Sequence, residues 1–178
     1  MTLLKIARMG HPVLRRRAEP IADPTSPEVR QLAADMIETM LDAPGIGLAA
    51  PQVHVGRRLI VLYVPAERTG PGEEPVGTTV LVNPEIEPAG DERVSGWEGC
   101  LSIPGLRGYV PRYEHVRWRG FDLSGREISG EAVGMHARVL QHEVDHLDGI
   151  LYLDRMTDLS RLTFVEEMRH FPAETGGT

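Results

Sequence analysis

Two histidines four residues apart, with a glutamate directly after the first, make up His142-Glu143-Val144-Asp145-His146. On an α-helix, positions i and i+4 lie one turn apart on one face, so both imidazoles can close on a single metal ion. Glu143, one position on, is near enough to reach a water at that ion without being a ligand. Burying two His and a Glu on an otherwise apolar helix would be costly without such a partner. A catalytic metal of this kind takes three protein ligands and keeps one position open. Cys100, the only cysteine, is one candidate for the third, in Glu98-Gly99-Cys100-Leu101-Ser102. A free cysteine is more often a small buried apolar residue. The flanking Gly99 argues instead for a close backbone approach. Glu166 and Glu167, downstream of His146, are the rivals, since a carboxylate would complete a His-His-carboxylate zinc site. Spacing alone leaves both open.

A second informative stretch is Gly45-Ile46-Gly47-Leu48-Ala49-Ala50-Pro51-Gln52. Its small residues let another backbone come close. Gln52 carries an amide N–H donor of the type found in oxyanion holes. The same residues would also serve a tight loop leaving a helix.

The elements that must position these groups follow from local pattern. Ser26 is an expected N-cap with Pro27 at the first helical position. Val29, Leu32, Ala33, Met36, Ile37, Met40 and Leu41 then recur at helical spacing, and Pro44-Gly45 ends the run. Leu59 to Val64 reads as a buried strand. Val80 to Val82 reads as another, stopped by Asn83-Pro84, with residues 65–78 an exposed loop between them. Val116, Trp118 and Phe121 are set among polar residues before a turn at Ser124-Gly125, so 80–130 is expected to be short antiparallel strands. A helix from Glu131 to Leu147 carries two apolar stripes. One is Val133, Ala137, Leu140, Val144 and Leu147; the other is Met135, Val139, His142 and His146. A helix apolar on two faces belongs in the middle of a fold. Gly149 suits its C-cap. A last helix is expected from Asp158 or Ser160 to about Arg169, and Pro172 to Thr178 reads as a disordered tail. The class is α+β, with antiparallel β-sheets packed around a central metal-binding helix, in one catalytic domain over residues 1–171.

The 178 residues suffice for one core without staples. Aromatics make up only 5%, so Leu, Val, Ile and Met must fill it. A net charge of −7 disfavours broad nucleic-acid binding, and the Arg15-Arg16-Arg17 and Arg57-Arg58 clusters read as solvated faces. A lone cysteine permits no internal disulfide and fits a reducing compartment. Neither a signal peptide nor a membrane span is legible, so the expected location is the cytoplasm.

Taken together, G-I-G-L-A-A-P-Q at 45–52, E-G-C-L-S at 98–102 and Q-H-E-V-D-H at 141–146 resemble, in order, the three signature motifs of the peptide deformylases. Met9 to Arg15 also resembles that family's N-terminal segment, and the likeness runs from about Lys5 to about Met156. The resemblance implies a metal-dependent hydrolase of N-terminal processing in protein biosynthesis. It would release formate from N-formylmethionyl peptides, in transient contact with the ribosome. It implies Cys100, His142 and His146 as ligands and makes Glu166 and Glu167 surface residues. The metal would be one divalent ion, usually Fe(2+), with Zn(2+), Ni(2+) or Co(2+) as substitutes. Glu143 would be the general acid/base, and Gln52 and the backbone N–H of Leu101 would hold the oxyanion. Ile46, Gly47 and Gly99 would line an extended peptide, Arg107 would lie near it, and Met135, Val139 and His142 would border the methionine pocket. Arg138 is polar where many bacterial relatives are apolar. Two other classes compete: a zinc endopeptidase using Glu166 or Glu167, which leaves Cys100 and Gln52 unexplained, and a non-catalytic relative, which would have lost Glu143, Gln52 or a ligand.

Overall fold

The computed structural model describes residues 2–171. The first long helix, α1, spans Pro27–Asp42 and begins as expected, with the Ser26 hydroxyl accepting from Val29 N and Pro27 at the first position. Ala33, Met36 and Met40 are buried on its inner face, whereas Leu41 is half exposed and lies off the stripe. Asp35 and Thr39 hold the N-terminal segment by accepting from Thr2 N and Leu4 N. That segment then bonds to two loops of interest, Ala7 N to Gln52 O and Met9 N to Ser102 O.

Seven strands precede the second helix: β1 Gly47–Ala49, β2 Leu59–Val64, β3 Val76–Pro88, β4 Arg93–Cys100, β5 Ile103–Tyr113, β6 His115–Phe121 and β7 Glu127–Val133. One sheet has the order β1-β2-β3-β6-β7 and all its pairs are antiparallel. The other pairs β4 with β5, and β5 with a short β8 at Leu162–Phe164. The helix α2, Gly134–Leu147, is buried along almost all of its length from Ala137 onward. It packs on the five-stranded sheet through Ala137, Leu140, Val144 and Leu147. Leu, Ile, Val and Met dominate the core, and Tyr152, in the one-turn helix α3 (Tyr152–Arg155), is the aromatic among the largest fully buried side chains.

Four boundaries differ from expectation. β3 begins at Val76, inside the expected loop 65–78, because Val76 pairs with Val64 of β2. Asn83-Pro84 does not stop a strand: β3 runs on to Pro88, trading β2 for β6 as partner across a bulge. Asn83 has φ +52 there, and its side-chain amide bonds both ways with the Ile21 backbone, replacing ladder bonds lost at the bulge. Helix α2 begins at Gly134 rather than Glu131, because residues 127–133 are committed to pairing with β6. Val133 is therefore an exposed strand residue, and Gly134, at φ +54, turns the chain into the helix. The Glu73 carboxylate occupies the space a Cβ on Gly134 would need and accepts from Met135 N at 3.2 Å. The expected last helix is instead a 3-10 turn at Leu159–Arg161, then β8, then a 3-10 segment Val165–His170. Pairing with Leu106 to Gly108 of β5 draws this stretch into the sheet. The expectation for Pro172 to Thr178 lies outside the described residues.

Candidate active site

Helix α2, strand β1 and the β4–β5 hairpin meet at a cleft of about 480 Å³. His142 and His146 sit one turn apart on α2 with ring centroids 5.0 Å from each other. The hairpin brings Cys100 against them, its Sγ 3.2 Å from His146 Nε2. One donor atom from each of the three residues lies within 4.8 Å of the others. Glu166 and Glu167 are exposed on the final 3-10 segment and do not join them, so neither completes a His-His-carboxylate set.

The donors have the chemistry of a metal site. His142 Nδ1 is held by Glu98 Oε2 at 2.9 Å, which leaves Nε2 for a cation. Burial opposes charge on Cys100, but the charge of His146 and hydrogen bonds with His142 and His146 outweigh it. They hold the thiol well below its usual range, toward the thiolate that binds metals. Gln52 Nε2 and Ser102 N also point at Sγ, each at 3.4 Å. His146 Nδ1 is buried with no partner among the described residues, so His146 lacks the carboxylate brace that His142 has.

Glu98 is the centre of a buried charge network. Arg112 grips it twice, at 2.8 and 3.0 Å, and Arg138 adds a bond at 2.9 Å. Burial would raise its pKa, yet the bonds from His142 and Arg112 hold the carboxyl well below the usual range. Arg112 also binds Asp145 at 2.5 Å, which Arg155 grips in turn. Arg138 thus spends its charge on Glu98 and on the carbonyls of Val94 and Val110, leaving its stem along the cleft.

Glu143 is almost fully buried beside the ligands, and burial pushes its pKa up to about 7, opposed by His142 and His146. Its Oε2 has no hydrogen-bond partner among the described residues. The carboxylate packs against Gly47 of β1, where a Cβ would collide with it. Gln52 is buried, and its Oε1 accepts from Ala49 N at 2.9 Å, so its N–H groups face Cys100 and Ser102. Ile46, Gly47, Gln52, Gly99, Cys100, Leu101, Arg107, Met135, Val139, His142 and Glu143 all line the cleft, and His146 lies beneath them.

Residue reasoning missed Glu98, Arg112 and Asp145. Glu98 was detectable, because in a strand it shares a face with Cys100 two positions on. Arg112 had no local signal: the hairpin sets it opposite Val94 on the neighbouring strand, and its side chain reaches Glu98 from there.

Three metal-type donors, a buried carboxylate and an oriented amide in one cleft form the pattern of a mononuclear metallohydrolase. Residues 3–162 match the polypeptide deformylase family. A peptide deformylase of Bordetella pertussis is 50% identical over 161 residues, covering 90% of this chain and 92% of that one. One of Nitrosomonas europaea is 42% identical over 170 residues, covering 96% of each. The crystal structure of a class I type b peptide deformylase from Acinetobacter baumannii with bound Met-Ala-Ser aligns with TM-score 0.80 at 38% identity, covering 87% of this chain and 99% of that one. The chain belongs to the polypeptide deformylase family. It is accordingly a hydrolase of N-terminal processing that removes the formyl group from the formylmethionine of nascent polypeptides, releasing formate. No helix among the described residues is long and apolar enough to cross a membrane.

Proposed function

We propose that Cys100, His142 and His146 hold one divalent ion, natively Fe(2+), and that the other cleft residues perform the hydrolysis around it. The observation that carries this reading is the set of three donors within 4.8 Å of one another beside a buried carboxylate oxygen with no partner among the described residues. A thiolate with two imidazoles suits Fe(2+), Zn(2+), Ni(2+) and Co(2+) alike. When bound, such an ion polarises a carbonyl and lowers the pKa of water.

The protein's own groups supply the rest. Glu143, buried beside the ligands, accepts a proton from the attacking water and returns it to the leaving amine. Gln52 Nε2 and the Leu101 backbone N–H donate to the formyl oxygen as it gains negative charge. Glu98, pinned by Arg112 and Arg138, fixes the ring and tautomer of His142. Gly47 and Ile46 on one side and Gly99 on the other leave room for a peptide backbone in extended form. Met135 and Val139 form the apolar wall for a methionine side chain, with Arg107 beside the peptide beyond it. Residues 1–171 act as one catalytic unit in the cytoplasm, meeting nascent chains in passing contact with the ribosome.

The test is formate release from formyl-Met-Ala-Ser with metal analysis of the same sample. About one ion per chain with turnover that tracks it supports the reading. Turnover that persists after complete metal removal defeats it.

A further inference from the structure

Three arginines, Arg8, Arg68 and Arg107, line the cleft, and their guanidinium groups make no hydrogen bond or ion pair among the described residues. This is unusual for the chain. Arginines elsewhere are largely paired, as in Arg15–Asp154, Arg57–Glu19, Arg117–Glu87 and Arg119–Glu85. Among the described residues, the carboxylates lining the cleft are those of Glu98 and Glu143. Glu98 is already bound by Arg112, Arg138 and His142, and Glu143 packs against Gly47. On a protein with a net charge of −7, unpaired cations gathered in one concave site leave their countercharge to a ligand.

Two of them are well placed along the peptide track. Arg107, on β5, lies across Gly99, where an added Cβ would sit 2.5 Å from Nη1. Arg68 ends the 3-10 turn Ala66–Arg68, in the loop whose Glu73 caps α2 at Met135. They reach one cleft from two different elements. Burial, and next the charge of Arg68, pull Arg107 below the usual arginine range, as expected for two nearby cations with no anion between them.

We propose that Arg68 and Arg107 form an anion subsite that takes a carboxylate of the substrate peptide downstream of the formylated residue. This rests on the deformylase reading and names a sequence preference within it. The guanidinium fork matches a carboxylate in two parallel bonds. The carboxylate has two sources: an Asp or Glu side chain, or the C-terminus of a short peptide.

The experiment measures kcat and KM for amide-capped formyl-Met-Asp-Ala and formyl-Met-Ala-Asp against their Asn counterparts, and for formyl-Met-Ala-Ser as free acid and as amide. At least one carboxylate peptide should exceed its neutral counterpart about tenfold in kcat/KM, the scale of one charged hydrogen bond. The gain should lie in KM, because the contact is remote from the reacting bond. It should shrink in about 0.5 M salt, where screening shortens to a few ångströms. Arg68→Gln should bring the ratio toward one, and Arg68→Lys should keep part of it. An Asp preference assigns the subsite to side chains, and a free-acid preference alone assigns it to chain ends. Ratios near one for every pair, with all peptides turned over, overturn the subsite and leave the deformylase reading standing. A ratio untouched by Arg68→Gln also overturns it. No formate from any peptide overturns both.

Discussion

Replacing Glu143 by glutamine separates its chemistry from any structural service. The carboxylate is buried, and its pKa is pushed from an ordinary 4.5 to about 7, with burial as the largest cause. A raised carboxylate pKa means that the folded state binds more protons than the unfolded chain between those two values. Its stabilising share is therefore complete below about pH 4.5 and is lost as pH rises to about 7. Above that, keeping the buried carboxylate ionised costs roughly 3 kcal/mol. Glu143→Gln removes this cost. At roughly 2–4 °C per kcal/mol for a chain of this size, its metal-free form should melt roughly 5–10 °C above the wild type at pH 8. The two should melt nearly together at pH 4.5. Both proteins are stripped of metal for melting, since a cation beside Glu143 would pull its pKa back down. The reloaded variant should hold its metal yet lose about 10²–10⁴ in kcat, the range for a positioned acid/base. The assays are calorimetry at the two pH values, formate release, and metal analysis. If Glu143 instead braced the helix, the variant would melt lower at pH 8 and keep most of its turnover. That result would refute both the buried-charge argument and the catalytic role.

Other perturbations test the surrounding groups. Cys100→Ser should sharply lower metal content, whereas Glu166→Ala and Glu167→Ala should leave it at the wild-type level in the same metal analysis. Gln52→Leu should retain metal and lose about 10²–10³ in kcat, the usual loss for one oxyanion donor; unaltered turnover would make Gln52 structural. Glu98→Gln should weaken metal binding about 10–100-fold in chelator competition, because the amide holds His142 less firmly and leaves Arg112 and Arg138 short of a charge. In the wild type, the depressed carboxyl of Glu98 gives stability that is present above its ordinary value of 4.5 and lost as pH falls toward its folded value. An acid melting series in Glu98→Gln should therefore be flatter below pH 4.5 than in the wild type.

Much of the site was legible because its signals are local. Helical spacing alone puts His142 and His146 on one face. Ser26-Pro27 announces its helix through capping chemistry that a four-residue window contains. The apolar periodicity of residues 135–147 places the histidine-bearing helix in the interior, where it is found. Pairing between distant segments decided the rest. Residue spacing could not choose between Cys100 and the pair Glu166 and Glu167 as third donor; the β4–β5 hairpin brings the thiol in, and the pairing of β8 holds the carboxylates out. The start of α2 moved from Glu131 to Gly134 because a ladder with β6 competes for the same residues, and hydrophobic pattern does not weigh that competition. Asn83-Pro84 has the composition of a stop, and only the bonds from Asn83 to the Ile21 backbone turn it into a bulge. The Glu98–Arg112–Asp145 network lay outside local reach for the same reason. A buried ion pair is specified by register and burial together, and both are properties of the assembled chain.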